Sequence, residues 1–283
     1  MPNLKASVAP LRRETLKNGV YQQLRDLILQ GGLVAGESMT VASLADAFGV
    51  SPMPVREALT RLSAAEAVTV ISGRTVGVPP LRREHLDDLR KVRLELEPVA
   101  AEWAVENRDS KFVEELRQRL SRLVASEAAG NSKLYIKENY GFHMCHYRQS
   151  QSPTMVMIIE TLWLQVSPYL HLLRESRNYE LSNYFHRQIF DAVAEGDKSD
   201  LRTAIQNDID RAYEALILEH DVLSGYPKAV NDDKKTIRRR GYEQAPKVDP
   251  ANVKPISRLR RRSEFGPRAD WRLSANSAAS RSR

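Results

Sequence analysis

The chain has 283 residues, 42% hydrophobic and 28% charged, with a net charge of +7, an ordinary globular composition with room for two domains. It holds no uninterrupted apolar run of about 18 residues for a membrane span, and its opening, MPNLKASVAPLRRETL, has no apolar core of a secretory signal. Cys145 is the single cysteine, which excludes an intrachain disulfide and a Cys-rich zinc module and leaves Cys145 as a small, partly buried residue rather than a nucleophile. The expectation is a cytoplasmic protein with no membrane partner.

Residues 14–30 place Val20, Leu24, Leu27 and Ile28 at helical spacing, and Gly31-Gly32 ends that helix. Thr40 is a good N-cap for a short helix over 41–48, with Leu44, Ala45 and Phe48 on one face; Gly49 suits the left-handed residue that closes it. Ser51 caps a third helix over 51–62, and Pro52 sits in its first turn, where a missing N–H costs nothing. Val55, Ala58, Leu59 and Leu62 form its inner face, which leaves Ser51, Met53, Arg56 and Thr60 pointing outward. In VTVISGRTVGVPP, Val68, Val70 and Ile71, then Val76 and Val78, flank a Gly73-Arg74 turn, which predicts a two-stranded ribbon. Three short helices and a ribbon make a winged helix-turn-helix.

From residue 82 the pattern is long helices, over 82–107, 110–129, 132–149, 153–174, 179–195 and 198–223, punctuated at Asp109-Ser110, Ser152-Pro153 and Gly196-Asp197. No strand pattern interrupts them, so an all-α bundle is expected. The apolar period ends after Tyr226-Pro227. Residues 228–283 hold 16 Lys/Arg against 6 Asp/Glu, leaving 27 against 30 for the rest of the chain. That basic, Pro- and Ser-containing tail is expected to be disordered and to add non-specific affinity for nucleic acid. The expected organisation is a flexible segment 1–13, a winged helix-turn-helix 14–80, a helical domain 81–227 and the tail 228–283.

The run YQQLRDLILQGGLVAGESMTVASLADAFGVSPMPVREALTRL resembles the DNA-binding domain of GntR-family transcription factors, through its AGE turn, LADAFGVS, PVREAL and the wing that follows. VRLELEPVAAEWA, NYGFH, SQSPTMVMIIETLW and HRQIFDAVAEGDKSDLRTAI resemble the FadR-type effector domain, FCD. The resemblance implies a mainly α protein, with an N-terminal winged helix-turn-helix followed by an all-α FCD bundle. A helix-turn-helix lays its second helix in the major groove. Ser51, Met53, Arg56 and Thr60 would then face base edges, Arg56 reaching guanine O6/N7, with Arg61 on phosphate and Arg74 at the wing tip. The family commonly has an arginine directly after the capping serine; this chain has Pro52 there, then Met53. Its usual EGL is Glu66-Ala67-Val68 here.

The FCD resemblance also implies a small-molecule pocket with a divalent metal, at positions that are Asn139, His143, His186 and Asp208 in this chain. Asn139 and His143, four apart, share one helix face. The family has histidine at the last position, where this chain has Asp208. Two imidazoles and a carboxylate suit Zn, Ni, Mn or Fe, and composition does not choose among them. The bland alternative is a pair of buried, hydrogen-bonded histidines. Arg93 matches an arginine that can face an anionic effector in the family, but an i,i+4 ion pair with Glu97 explains it equally well. Trp163 and Tyr169 are read as packing residues. The function implied is a homodimeric regulator on a double-stranded DNA operator in the nucleoid, a repressor answering to a small organic acid, and not an enzyme. A metal-dependent enzyme carrying a DNA-binding module is the alternative, although no general base or nucleophile appears at recognisable spacing such as H-E-x-x-H. A basic-tailed architectural protein is a third reading, which leaves the FCD resemblance unexplained.

Overall fold

The computed structural model describes residues 11–223 except 36, 73 and 175–177. All of them lie within the unit that ends at Lys228. The basic tail 228–283 and most of the expected flexible start lie outside the described residues.

Helix α1 (Leu11–Leu29) starts earlier than residue 14 and buries Val20, Leu24, Ile28 and Leu29. Gly31 turns the chain out of it at φ 70°, and a Cβ there would stand 2.9 Å from Cγ2 of Ile136. Helix α2 (Val41–Phe48) opens on a full capping box: Ser43 N donates to Thr40 Oγ1 (3.0 Å) and Thr40 N to Ser43 Oγ (3.2 Å). It closes on Gly49 at φ 64°. Helix α3 (Pro52–Ala64) has Ser51 at its N-cap position, but the Ser51 side chain makes no capping hydrogen bond. The reason is local: the third helical residue, the usual donor to a cap, is Pro54, which has no N–H.

The ribbon is β2 (Thr69–Ser72) and β3 (Thr75–Gly77), antiparallel, with an irregularity between Val70 and Ser72. A third strand, β1 (Ser38–Thr40), pairs with the other edge of β3, giving the order β1-β3-β2. Three residues are too few to show an alternating pattern, so β1 was not legible in the sequence.

The bundle comprises α4 (Arg83–Glu106), α5 (Ser110–Ala128), α6 (Ser132–Gln149), α7 (Pro153–Val166), α8 (Asn178–Glu195) and α9 (Lys198–Leu223). Asp109, Asn131 and Ser152 cap α5, α6 and α7 through side-chain acceptors. The single helix expected over 153–174 is two pieces. Its α-helical part stops at Val166 and a 3-10 helix follows over Ser167–Arg174. Pro168 accounts for the change, because it offers no N–H and its ring clashes with the carbonyl four residues back. By length and composition Pro153–Leu173 could cross a membrane (mean hydropathy 1.3). Half of that window is buried, and Ile159, Trp163, Leu164 and Val166 sit in the protein core, as in a core helix.

The segment after α7 also holds the winged helix. Pro168 O accepts from Ala35 N (3.0 Å), and the Tyr169 hydroxyl donates to Pro79 O (2.6 Å). On α7 itself, Glu160 pairs with Arg25 of α1 and accepts from Arg148 (2.9 Å) and the Tyr140 hydroxyl (3.1 Å).

Candidate DNA-reading surface and metal centre

Helix α3 buries Val55, Ala58, Leu59 and Leu62 against α1 and α2 and exposes Ser51, Met53, Arg56, Thr60 and Arg61. Met53 is 61% exposed. The Thr60 hydroxyl bonds back to Arg56 O (2.9 Å). Arg61 Cζ sits over the Tyr21 ring, 3.6 Å from its centroid, and the side chain donates to Asn18 Oδ1 (3.2 Å), so its guanidinium is steadied against α1. Arg74 is exposed beside the wing turn.

The second constellation is buried. His143 on α6, His186 on α8 and Asp208 on α9 converge although 43 and 22 residues separate them in sequence. The two Nε2 atoms are 3.1 Å apart. His143 Nε2 stands 3.3 Å from Asp208 Oδ2, and His186 Nε2 stands 3.5 Å from Asp208 Oδ1. All three potential ligand atoms lie within 4.8 Å of one another. Burial lowers the pKa of His143 to about 4 and that of His186 to about 3, so both rings are neutral, the form that ligates metal. Burial likewise raises Asp208, opposed by His186 and Arg93. Convergent neutral imidazoles and a carboxylate fit a divalent ion of the Zn, Ni, Mn or Fe class. Asn139, one turn before His143, lines a cavity of about 30 Å³ beside Asp208, together with Arg93, Trp163 and Tyr135. That volume has room for one or two waters.

Arg93 is committed. Its Nε donates to Glu97 Oε1 (2.5 Å) and its NH2 to Glu97 Oε2 (3.4 Å), with the guanidinium 5.1 Å over the Trp163 ring. Burial opposes the Arg93 charge, but Glu97 outweighs it and the pKa rises. The ion-pair explanation of Arg93 therefore holds, while the residue still borders the cavity. Trp163 packs in the core and also donates to Glu97 Oε1 (3.2 Å); Tyr169 packs and does not line the cavity. Sequence reasoning missed Glu97 as a hub and missed Tyr147, Asn183 and His146. Tyr147 and Asn183 stand four and three residues from His143 and His186, a spacing that carries a signal. His146, 1% exposed between Phe112 and Phe142, donates from Nδ1 to Phe142 O (3.1 Å), and its Nε2 has no hydrogen-bond partner among the described residues.

Residues 16–78 match the model for bacterial regulatory proteins of the gntR family, and residues 88–211 match the FCD domain. The HTH-type transcriptional regulator McbR of Escherichia coli K12 is 32% identical over 168 residues, covering 59% of this chain and 76% of McbR. The chain belongs to the GntR family. The solved structure of E. coli McbR/YncC superposes with a TM-score of 0.67 at 28% identity, over 72% of this chain and 98% of that one. A probable D-xylose utilization operon transcriptional repressor of Paenarthrobacter nicotinovorans is 25% identical, covering 63% of this chain and 80% of that protein. This GntR-family chain is a DNA-binding transcriptional regulator, with the FCD architecture of the FadR subfamily. The wing and the helical bundle match the mainly α fold expected from sequence.

Proposed function

We propose that the chain is a homodimeric repressor whose operator binding is set by a small carboxylate at the buried site. The observation that carries this reading is the convergence of His143, His186 and Asp208 on one point beside the cavity. A divalent ion held there, with Asn139 at its edge, would supply the positive charge that receives a carboxylate. Arg93 is already neutralised by Glu97, so it shapes and polarises the wall rather than taking the carboxylate alone. The cavity is small, which suits a compact organic acid or requires the wall to give way.

The path to DNA is short. Trp163, Val166, Leu170 and Leu173 line the cavity. On the same two segments, Glu160, Pro168 and Tyr169 hold Arg25, Ala35 and Pro79 of the winged helix. A ligand that moves this wall acts on both ends, provided it binds the two states with different affinity. At the DNA, Arg56 reads a base, Ser51, Met53 and Thr60 lie beside base edges, Arg61 meets phosphate, and Arg74 follows from the wing.

Dimerisation has a candidate face. Val92, Leu96, Val99 and Trp103 fall on one side of α4, with Val92 and Trp103 more than a third exposed. Met157 and Ile158 are exposed on α7, which packs beside α4 through Trp163 and Glu97. A second copy using the same patch gives the two-fold that paired half-sites need. Trp103→Glu should shift sedimentation from dimer to monomer; an unchanged dimer places the interface elsewhere. The functional reading is tested by footprinting the operator with and without small carboxylates. Metabolite-released protection supports it. Turnover of those carboxylates by metal-loaded protein would favour the enzyme alternative.

A further inference from the structure

We propose, resting on the metal reading above, that Glu97 and Glu127 are positioning residues of the centre, each ending a relay that fixes one ligand histidine as its Nδ1–H tautomer. The first relay starts at Glu97 on α4, which is fully buried. Its Oε1 accepts from Arg93 Nε and Trp163 Nε1, and its Oε2 accepts from the Tyr147 hydroxyl at 2.5 Å. Tyr147 has one proton, and the carboxylate takes it, because a carboxylate only accepts. The phenol oxygen, 3.4 Å from His143 Nδ1, is left as an acceptor. His143 must then carry its proton on Nδ1.

The second relay starts at Glu127 on α5. Asn183 Nδ2 donates to Glu127 Oε2 (2.9 Å), which fixes the orientation of the Asn183 amide. Its Oδ1 therefore faces His186 Nδ1, at 3.3 Å. An amide oxygen only accepts, so His186 also carries its proton on Nδ1. The Tyr135 hydroxyl approaches the same Oδ1 at 3.5 Å as a second donor.

Both histidines then turn bare Nε2 lone pairs toward each other and toward Asp208. With Asp208 ionised, no proton lies between them, and three electron-pair donors crowd one point. A cation relieves that arrangement. The competing arrangement, an Nε2–H shared between the two rings, needs one ring to reverse its tautomer and so needs one relay to break. Helices α4 and α5, which supply no ligand, thus decide how α6, α8 and α9 present theirs. Residues in this position typically change metal affinity by about 10- to 100-fold when mutated.

Glu97→Gln is the informative variant. Its amide oxygen keeps the place facing Arg93 and Trp163, which leaves the NH2 facing Tyr147. That NH2 donates to the phenol oxygen, the Tyr147 proton swings to His143 Nδ1, and His143 is forced to Nε2–H. Tyr147→Phe removes the relay without leaving Arg93 unpaired, and covers the case in which Glu97→Gln fails to fold. The experiment uses full-length chain labelled with ¹⁵N-histidine, together with zinc competition against a chelator. The wild type should show Nδ1–H rings at His143 and His186. Zinc should bind about 10- to 100-fold more weakly to both variants, with His143 switching to Nε2–H in Glu97→Gln. Zinc affinity unchanged in both variants, or wild-type rings found as Nε2–H, overturns the relay while leaving the metal reading in place. No zinc uptake by the wild type overturns the metal reading itself.

Discussion

Helices α3 and α6 both carry candidate site residues and place them oppositely. On α3, Met53, Arg56 and Thr60 stand in solvent above the buried Val55, Leu59 and Leu62. On α6, His143 is 2% exposed, flanked by Phe142 and Tyr147, and contacts groups from two other helices. On the proposed reading the exposed set is completed from outside, by DNA, so losing a member should cost binding far more than stability. The buried set must be satisfied from within, because an unpaired buried polar group is expensive. Substitutions in the two regions should therefore separate cleanly into binding defects and stability defects.

The largest separation is expected at Glu97. Glu97→Ala strands the Arg93 guanidinium in the core, and should destabilise the protein by about 3–5 kcal/mol in urea titrations. A loss below about 1 kcal/mol would mean that Arg93 finds water, as a surface pair does.

His146 gives the next effect, through pH. Burial lowers its pKa to about 3, against an ordinary value near 6.5. The unfolded chain binds the proton first as pH falls through 6.5, so the contribution of His146 to stability is lost on acidification, down to its folded value. Between pH 7 and pH 5 this amounts to about 2 kcal/mol. His146→Leu should lose correspondingly less stability over that interval; parallel acid profiles for the two proteins would show that another group dominates.

At the DNA surface, Arg56→Ala should cost about 1–3 kcal/mol of operator affinity and relax preference at one base pair. Equal losses on operator and random DNA would reassign Arg56 to phosphate. The smallest effect belongs to Met53. An apolar side chain at the start of the recognition helix suits a thymine methyl group. Replacing single thymines of the operator by deoxyuridine should weaken wild-type binding at one position by about 0.8 kcal/mol. The Met53→Ala protein should not sense that replacement. Equal sensitivity in both proteins would remove Met53 from base reading.

The comparison of α3 with α6 also explains what was legible in the sequence. Features set within a few residues are read directly: the Thr40 cap, the Gly49 closure, the inner face of α3, the helix breaks at Asp109 and Ser152. Where a local rule meets a local exception, the sequence pattern misleads. Pro54 removes the donor that Ser51 would cap, and Pro168 turns the end of α7 into a 3-10 helix. Strand β1 exists only because β3 offers an edge, and its three residues carry no pattern of their own. His143, His186 and Asp208 were found through a family resemblance, since no periodicity links α6, α8 and α9. Glu97 and Glu127 arrive from two further helices, and only the packed bundle shows that they face Tyr147 and Asn183. The i,i+4 spacing of Arg93 and Glu97 was visible, but spacing could not decide between a ligand contact and the ion pair that the fold contains.

The regulator reading and the buried site meet in one titration. Full-length protein purified without chelators is assayed for metal by elemental analysis, then bound to operator DNA with and without small carboxylates, in EDTA and after zinc is restored. One divalent ion per chain is expected, with a carboxylate response that disappears in EDTA and returns with zinc. Protein that holds no stoichiometric ion and answers the carboxylate equally well in EDTA would show that His143, His186 and Asp208 form a metal-free hydrogen-bonded core.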